Sequence, residues 1–165
     1  MLGALLRNAL TGPWIVRRYF PREALREVEL AVKQSEARHA GQLRVVIEGH
    51  LDPSEVFAHV SAGEKAISHF AQLGVWDTEH NNGVLLYLLL SEKKIEIVAD
   101  RGINNKVTPE TWQHICRDMS CSFKDGNYLT GLLETIEAIS AVLEKHFPDT
   151  GSEKNELPDF PLVIS

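Results

Sequence analysis

Residues 81–102 have the sequence NNGVLLYLLLSEKKIEIVADRG, and this stretch decides the fold. Residues 84–90 form an unbroken apolar run, which is typical of a strand buried on both faces. The next four residues, SEKK, are polar and predict a short turn. Residues 95–100 then alternate between two faces, one of them more polar, as a second strand does. The stretch is therefore predicted to form a β-hairpin.

Polar groups flank the two outer ends of this hairpin. Asn-Asn-Gly at 81–83 precedes the first strand, and Asp-Arg-Gly at 100–102 follows the second. Because the strands are antiparallel, the two segments are expected to meet at the same edge of the sheet. A carboxylate, two amides and backbone freed by glycine would converge there, so we predict a polar site at this edge.

The patterns outside the hairpin predict the remaining elements. Apolar residues recur at helical spacing in 21–40, 52–73, 108–125 and 128–147, and alternate with polar ones in a strand at 43–48. Residues 162–164 either add an edge strand or pack loosely. A strand, a crossover helix and a second strand form a right-handed parallel unit. We therefore predict an α/β fold in which a small mixed β-sheet, a parallel βαβ unit plus the antiparallel hairpin, is sandwiched between helices (α/β/α).

The composition is that of one globular domain. The chain has 165 residues and a net charge of −6, which argues against nucleic-acid binding because phosphate neutralisation needs a basic face. We divide it into an N-terminal apolar arm (1–20), a single domain (21–148) and a polar C-terminal tail (149–165). Cys116 and Cys121 lie five positions apart on a predicted helix and project in different directions, so buried or semi-buried free thiols in a reducing compartment are expected.

The arm is the segment whose contacts the sequence leaves open. The arm has a short amphipathic stripe of leucines followed by two arginines: Leu2, Leu5, Leu6 and Leu10, then Arg17 and Arg18. This pattern fits a peripheral membrane contact, docking on the protein's own surface, or docking on a partner protein. No stretch approaches the roughly 20 apolar residues that span a bilayer, and no signal peptide is recognisable. We expect a cytoplasmic protein, with peripheral membrane association as the alternative.

Three blocks of the sequence resemble the TPM domain family, named after thylakoid-lumen and photosystem II repair proteins and a nematode receptor auxiliary protein. The block EHNNGVLLYLLLSEKKIEIVADRGI at 79–103 is similar to the family's Asn-Asn-Gly-Val-Leu strand, charged turn and hairpin partner. SEARHAGQLRVVIE at 35–48 looks like its helix-to-strand passage, and 107–148 looks like its two closing helices. The likeness covers residues 22–148.

The resemblance implies an α/β/α sandwich, a divalent-cation site usually discussed as calcium, and an acid-phosphatase activity in plant members. Many members carry a signal peptide and a membrane anchor, which this chain does not show. Gln42 stands where an acid is usual. For this chain the resemblance implies a calcium- or magnesium-binding regulatory or partner-binding module. The alternative is a metal-dependent phosphatase acting on phosphomonoesters, so whether the protein is an enzyme is left open.

The predicted cation ligands are the oxygen-bearing side chains near the hairpin edge: Asp77, Glu79, Asn81, Asn82, Asp100 and Asp118. Carboxylates and amides suit a hard cation, and a bound ion could orient a phosphate or activate water. The alternative is that the two asparagines shape the loop while Asp100 pairs with Arg101 or caps a turn. No EF-hand pattern is present.

Arg101 is the predicted phosphate-binding residue, because a guanidinium offers two donors to a phosphate; a surface ion pair or stacking on Trp112 is the alternative. The seven histidines are scattered, and each is expected to be solvated or locally hydrogen-bonded. His114 and Asp118 are four positions apart and share a helix face. Neither a GxSxG nor a P-loop motif occurs, which argues against serine-hydrolase or P-loop chemistry. Catalytic residues are therefore unassigned.

Overall fold

The computed structural model describes residues 14–149, 151 and 154–165. The strands are β1 (Gln42–Glu48), β2 (Gly83–Leu89), β3 (Lys94–Ala99) and β4 (Leu162–Ile164). The helices are α1 (Trp14–Tyr19), α2 (Arg22–Glu36), α3 (Pro53–Phe57), α4 (Ala62–Gln72), α5 (Arg101–Asn104), α6 (Pro109–Lys124) and α7 (Tyr128–His146). The leucine stripe predicted in the arm lies outside the described residues.

The four strands form one mixed sheet in the order β3-β2-β1-β4. β1 runs parallel to β2, with Gln42 opposite Gly83, and also parallel to β4. β2 runs antiparallel to β3, with Val84 opposite Ala99. The predicted parallel unit, the hairpin and the mixed sheet are thus confirmed, and residues 162–164 form an edge strand.

Helices cover both faces of the sheet, as predicted. One face presents Leu43 and Leu86, among others, to α1, α2, α6 and α7. The opposite face presents Val46 and Leu85 to α3 and α4. Every residue of β2 is buried, so the apolar run is confirmed as a strand that packs on both sides. β2 therefore contributes side chains to the hydrophobic cores on both sides of the sheet.

β1 is also buried along its whole length, which the predicted alternation of apolar and polar residues did not foresee. Two of its polar side chains, Arg44 and Gln42, bond to the C-terminal segment, whereas Glu48 is covered by His69 and Lys65 of α4. Arg44 donates from Nη1 to the main-chain oxygens of Pro158 (2.8 Å) and Phe160 (2.6 Å). Gln42 accepts at Oε1 from the main-chain N–H of Glu156 (2.7 Å). These bonds hold the segment that ends in β4.

The single helix predicted over 52–73 is wrong, because two helices, α3 and α4, occupy that stretch. Each begins with its own capping box, formed by Asp52 with Glu55 and by Ser61 with Glu64. Between them His59 has a φ of +57°, and a left-handed residue cannot continue a right-handed helix. The second capping box was a local signal that the chain restarts here.

Residues from both the arm and the tail pack into the core. Ile15, Val16 and Phe20 join the core cluster on the α2 and α7 side of the sheet, and Leu157 joins the cluster under α4. Within residues 14–149, 151 and 154–165, no helix is both long and apolar enough to cross a membrane.

The two cysteines carry free thiols, as predicted. Cys116 is half-buried on α6, and burial raises the pKa of its thiol to about 12. Cys121 is exposed, so the prediction that it is at least semi-buried is wrong. The high pKa of Cys116 keeps its thiol protonated at neutral pH, which makes it a poor nucleophile.

A matched pair of glycine substitutions tests how tightly the start of β2 is packed. A Cβ on Gly83 would lie 1.9 Å from the carbonyl oxygen of Val75, so Gly83→Ala forces the main chain apart. We expect it to lower the free energy of unfolding by about 1–3 kcal/mol or more, measured by urea denaturation. Gly63→Ala is the control: its Cβ meets only Glu96 at 4.0 Å, so stability should be unchanged or slightly higher. Equal effects of the two changes would contradict this packing.

Candidate functional site

The two segments that flank the hairpin meet at one edge of the sheet. Asp100 donates its main-chain N–H to Gly83 O (2.9 Å), and Gln42 donates its own to Asn82 O (3.1 Å). A Cβ on Gly102 would lie 2.5 Å from the carbonyl oxygen of Asn81. The carboxyl end of β3 and the amino ends of β1 and β2 are therefore in direct contact at this hairpin edge.

Asn82 is buried at the hairpin edge, with 1% of its surface exposed. Its Nδ2 donates to Ala40 O (2.5 Å), and its main-chain N–H donates to Thr78 Oγ1 (3.0 Å). Its Oδ1 is buried and has no hydrogen-bond partner within the described part of the chain. The side chain thus shapes the loop, as one of the predicted alternatives held, and still leaves one amide oxygen unsatisfied.

Asp100 is buried beside it, with 8% of its surface exposed. It is the N-cap of α5, the short helix Arg101–Asn104. Its Oδ1 accepts the main-chain N–H of Arg101 (2.6 Å), so the predicted capping alternative is confirmed. Its Oδ2 is buried and, among the described residues, has no partner. A buried oxygen without a donor is costly, which makes this pair of oxygens notable.

The other residues predicted for the site lie in more open positions. Asp77, Glu79 and Asn81 are exposed in the loop before β2, and Asn81 has a φ of +52°. The main-chain N–H of Glu79 donates to the carboxylate of Glu156, at 3.2 Å to each oxygen. Arg101 is exposed as the first residue of α5. The first three precede β2 and Arg101 follows β3, so all four lie on exposed segments that are next to the edge along the chain.

Asp118 lies elsewhere than the sequence argument placed it. It is exposed on α6, where its carboxylate Oδ2 lies 2.9 Å from Nδ1 of His114. It lines a groove between α6 and α7 together with Ser122 and Glu134. The contact that the structure records for Asp118 is therefore the four-residue pairing along its own helix, and not one with the hairpin edge.

No group of three or more His, Cys, Asp or Glu residues capable of holding a metal ion occurs within 14–149, 151 and 154–165. A cation at the hairpin edge would therefore depend on the carboxylate of Asp100 together with amide, main-chain or water oxygens. Hard cations such as calcium accept all of these ligands. Magnesium binds with one or two carboxylates and keeps several waters.

A second polar cluster, which the sequence reasoning missed, is buried on the α4 side of the sheet. Glu48 is its centre: Oε2 accepts from Tyr87 OH (2.8 Å) and lies 3.1 Å from His69 Nε2. The Lys65 ammonium bridges Glu48 Oε1 (3.2 Å) and Glu55 Oε1 (2.5 Å). Its members come from β1, β2, α3 and α4, so only the tertiary fold brings them together.

The partners of Glu48 keep its carboxylate charged although it is buried. Burial alone would raise the pKa of Glu48, but hydrogen bonds from His69 and Tyr87 and the charge of Lys65 together hold it below its ordinary value. Burial and the Glu48 charge raise the pKa of Tyr87 far above its usual range. Each polar group has a partner inside the cluster. We therefore assign it a structural role, in joining α4 to the sheet.

Glu36, at the end of α2, is a buried acid of a different kind. Its Oε1 accepts the main-chain N–H of Leu43 (2.7 Å), where the chain enters β1. Burial raises the pKa of Glu36 to about 8; this hydrogen bond opposes the rise, and the neighbouring carboxyl of Asp159 adds to it. Glu36 is therefore mostly protonated at neutral pH and shares its surroundings with the C-terminal segment.

The fold defines a class: an α/β/α module with polar side chains at the sheet edge where β1 and β2 begin and β3 ends. The model of the TPM domain family matches residues 17–142, so the chain belongs to the TPM domain family. A search among curated proteins found no match.

Two solved structures illustrate the similarity. The NMR structure of the BA42 protein from the psychrophilic bacterium Bizionia argentinensis is 28% identical, with a TM-score of 0.75, covering 86% of this chain and 92% of that one. The solution structure of the N-terminal domain of a P. gingivalis protein is 23% identical, with a TM-score of 0.63, covering 79% and 82%. At that identity the second structure supports the fold alone.

The raised pKa of Glu36 predicts a specific pH dependence of stability. The folded state binds the proton more tightly than the unfolded state, whose pKa is near the ordinary 4.5. Stability should therefore fall as pH rises from about 4.5 to about 8, at up to about 1.4 kcal/mol per pH unit, and then level off. Glu36→Gln, which keeps the acceptor for Leu43, should remove this slope in urea denaturation series. A variant whose stability differs from the parent by the same amount at pH 5 and pH 9 would contradict the assignment.

Proposed function

We propose that this TPM-domain protein is a regulatory or partner-binding module that takes a divalent cation at the hairpin edge. One observation carries the proposal: Asn82 Oδ1 and Asp100 Oδ2 are both buried there without hydrogen-bond donors in the described chain. A divalent cation at this edge would give the Asp100 oxygen a partner, and an amide oxygen such as that of Asn82 is a further ligand that hard cations accept. Asp77, Glu79 and Asn81 are exposed in the loop before β2, and their oxygens or bound waters would supply the further ligands.

Calcium and magnesium are the ions that this donor set favours. The residues that would hold the ion offer oxygen only, and hard cations bind oxygen while zinc prefers nitrogen and sulfur. A single buried carboxylate supplies little negative charge, so the affinity should be low. For sites of low ligand charge, calcium dissociation constants of roughly 10⁻⁴–10⁻³ M are typical.

The arm supports the partner-binding part of this proposal. On α1, Ile15 and Val16 face the core, whereas Trp14, Arg17 and Arg18 are exposed. The Arg18 guanidinium lies 5.9 Å from the centre of the Trp14 ring. An exposed aromatic ring with two cations suits either a partner protein or the anionic headgroups of a membrane surface.

Asp100→Asn separates cation binding from helix capping. The amide keeps an oxygen for the N–H of Arg101 but removes the negative charge. Calcium or magnesium chloride added to the labelled protein should shift the NMR signals of amides 80–83 and 100–102, with a dissociation constant of roughly 10⁻⁴–10⁻³ M. In Asp100→Asn we expect the affinity to fall by about tenfold or more.

The matched control is Asp118→Asn, which also removes one carboxylate charge, but on α6 where Asp118 pairs with His114. Its cation affinity should equal that of the parent. Shifts that are confined to other residues, or that persist unchanged in Asp100→Asn, would exclude a cation site at this edge.

Phosphomonoester hydrolysis is the second candidate function. The observation that favours it is the exposed Arg101, which follows Asp100 directly at the proposed cation site and could bind a phosphate with two donors. If it holds, hydrolysis of p-nitrophenyl phosphate should require calcium or magnesium. It should fall by about 10²-fold or more in Asp100→Asn and, through a higher KM, in Arg101→Gln. A rate that is equal in the parent and in both variants would have to be assigned to a contaminant.

A further inference from the structure

The outer edge of β3 is an open strand at the side of the sheet. No strand within the described residues pairs with it, since the sheet order begins at β3. The bond from the N–H of Asp100 to Gly83 O shows which residues of β3 direct their main-chain groups toward β2, because these residues alternate along the strand. The main-chain groups of Glu96 and Val98 therefore face β2, and those of Ile95 and Ile97 point outward. These outward groups form a template for one more strand.

An apolar groove of about 820 Å³ runs along this edge, between α4 and α6. Its walls include Ile67, which is 61% exposed on α4, and Trp112 on α6. The indole N–H of Trp112 is buried and has no acceptor in the part of the chain that the structure describes. A strand lying in the groove could bury Ile67 and, with a small rotation of the indole, bring a carbonyl oxygen to this N–H.

The groove is charged at one end only. Where it reaches the hairpin turn it continues into a second concavity of about 500 Å³. The charged side chains there are Lys93, Lys94, Arg117, Lys124, Glu92 and Glu96. Four cations against two carboxylates leave this end positive, although the whole chain has a net charge of −6. The charge is therefore local, and it complements an anionic ligand.

We propose that this edge binds an extended peptide of another protein that has alternating apolar residues followed by an acidic C-terminal end. Antiparallel pairing is the more stable arrangement, and it places the C-terminal end of the peptide at the basic turn end of β3. The alternate apolar side chains would contact Ile67 and the groove walls. The proposal names the partner class of the regulatory module and rests on its partner-binding role, but not on its cation site.

A second copy of this chain fits the edge less well. β3 can pair antiparallel with β3 of a second copy in two registers that match the outward main-chain groups of both strands and overlap the most. One places Glu96 directly opposite its own copy, and like charges at that position are destabilising. The other needs the carbonyl oxygen of Ala99, which already accepts from Asn104 Nδ2 (2.7 Å). Charge and hydrogen bonding therefore favour a different chain.

The test uses two fluorescein-labelled peptides with the same Val-Thr-Val-Thr-Val-Thr core, one ending in Asp-Glu-Asp and one in Lys-Lys-Lys. Fluorescence anisotropy with the full-length protein should give at least about tenfold tighter binding of the acidic peptide at low salt, and a smaller difference at high salt. NMR should report shifts at the amides of Ile95 and Ile97. The measurements are made with calcium and with a chelator, so that loss of the cation site alone cannot abolish the result.

Three variants complete the test. Ile67→Ser changes an exposed side chain and should weaken binding of both peptides without unfolding the protein. Lys94→Glu with Arg117→Glu should abolish the preference for the acidic peptide. Lys33→Glu with Lys145→Glu is the matched control on exposed positions of α2 and α7, and should leave that preference in place.

Three results would overturn the proposal. The first is equal affinity for the two peptides at low salt. The second is peptide binding that Ile67→Ser does not change. The third is a concentration-dependent dimer, seen in sedimentation, that loses its stability in Ile67→Ser; this result would assign the edge to a second copy of the chain.

Discussion

The register of β2 depends on polar contacts at its two ends. Residues 84–90 are apolar on both faces, so a shift of the strand by one residue in either direction would bury a similar apolar area. At one end the main chain around Asn82 and Gly83 bonds to both β1 and β3. At the other end Tyr87 reaches the carboxylate of Glu48 on β1. Apolar burial supplies the driving force, and these few polar bonds select one alignment from several that bury similar area.

This division explains which parts of the fold could be predicted from the sequence. The hairpin, the parallel unit and the two long closing helices follow from local periodicity, and the structure has them. The burial of Arg44 and Glu48 does not, because their partners lie far away along the chain, at 158–160 and at 65–87. A local pattern predicts that a charged residue is exposed, because it contains no information about distant segments that cover the residue. The break between α3 and α4 is different, since the capping box of Ser61 and Glu64 is a local sequence signal for the start of a new helix.

The candidate site divides along the same line. Antiparallel pairing alone predicted that 81–83 and 100–102 would meet, and in the structure they are in contact. The same argument could not supply the direction of a helix, and Asp118 consequently pairs with His114 on α6. Nor could it separate capping from ligation at Asp100. In the structure one carboxylate oxygen caps α5 and the other has no partner, so the two interpretations concern different atoms of the same side chain.

Gln42 connects this edge to the C-terminal segment. An amide both donates and accepts: Oε1 accepts from the main chain of Glu156 (2.7 Å) and Leu157 (3.3 Å), and Nε2 donates to Lys154 O (3.3 Å). The acid that the family resemblance leads one to expect here could only accept, so it would lose the bond to Lys154. The glutamine therefore anchors the segment that closes β1, and it removes a negative charge beside Gly83. Gln42 is uncharged, so the buried carboxylate that the described chain places at the hairpin edge is that of Asp100.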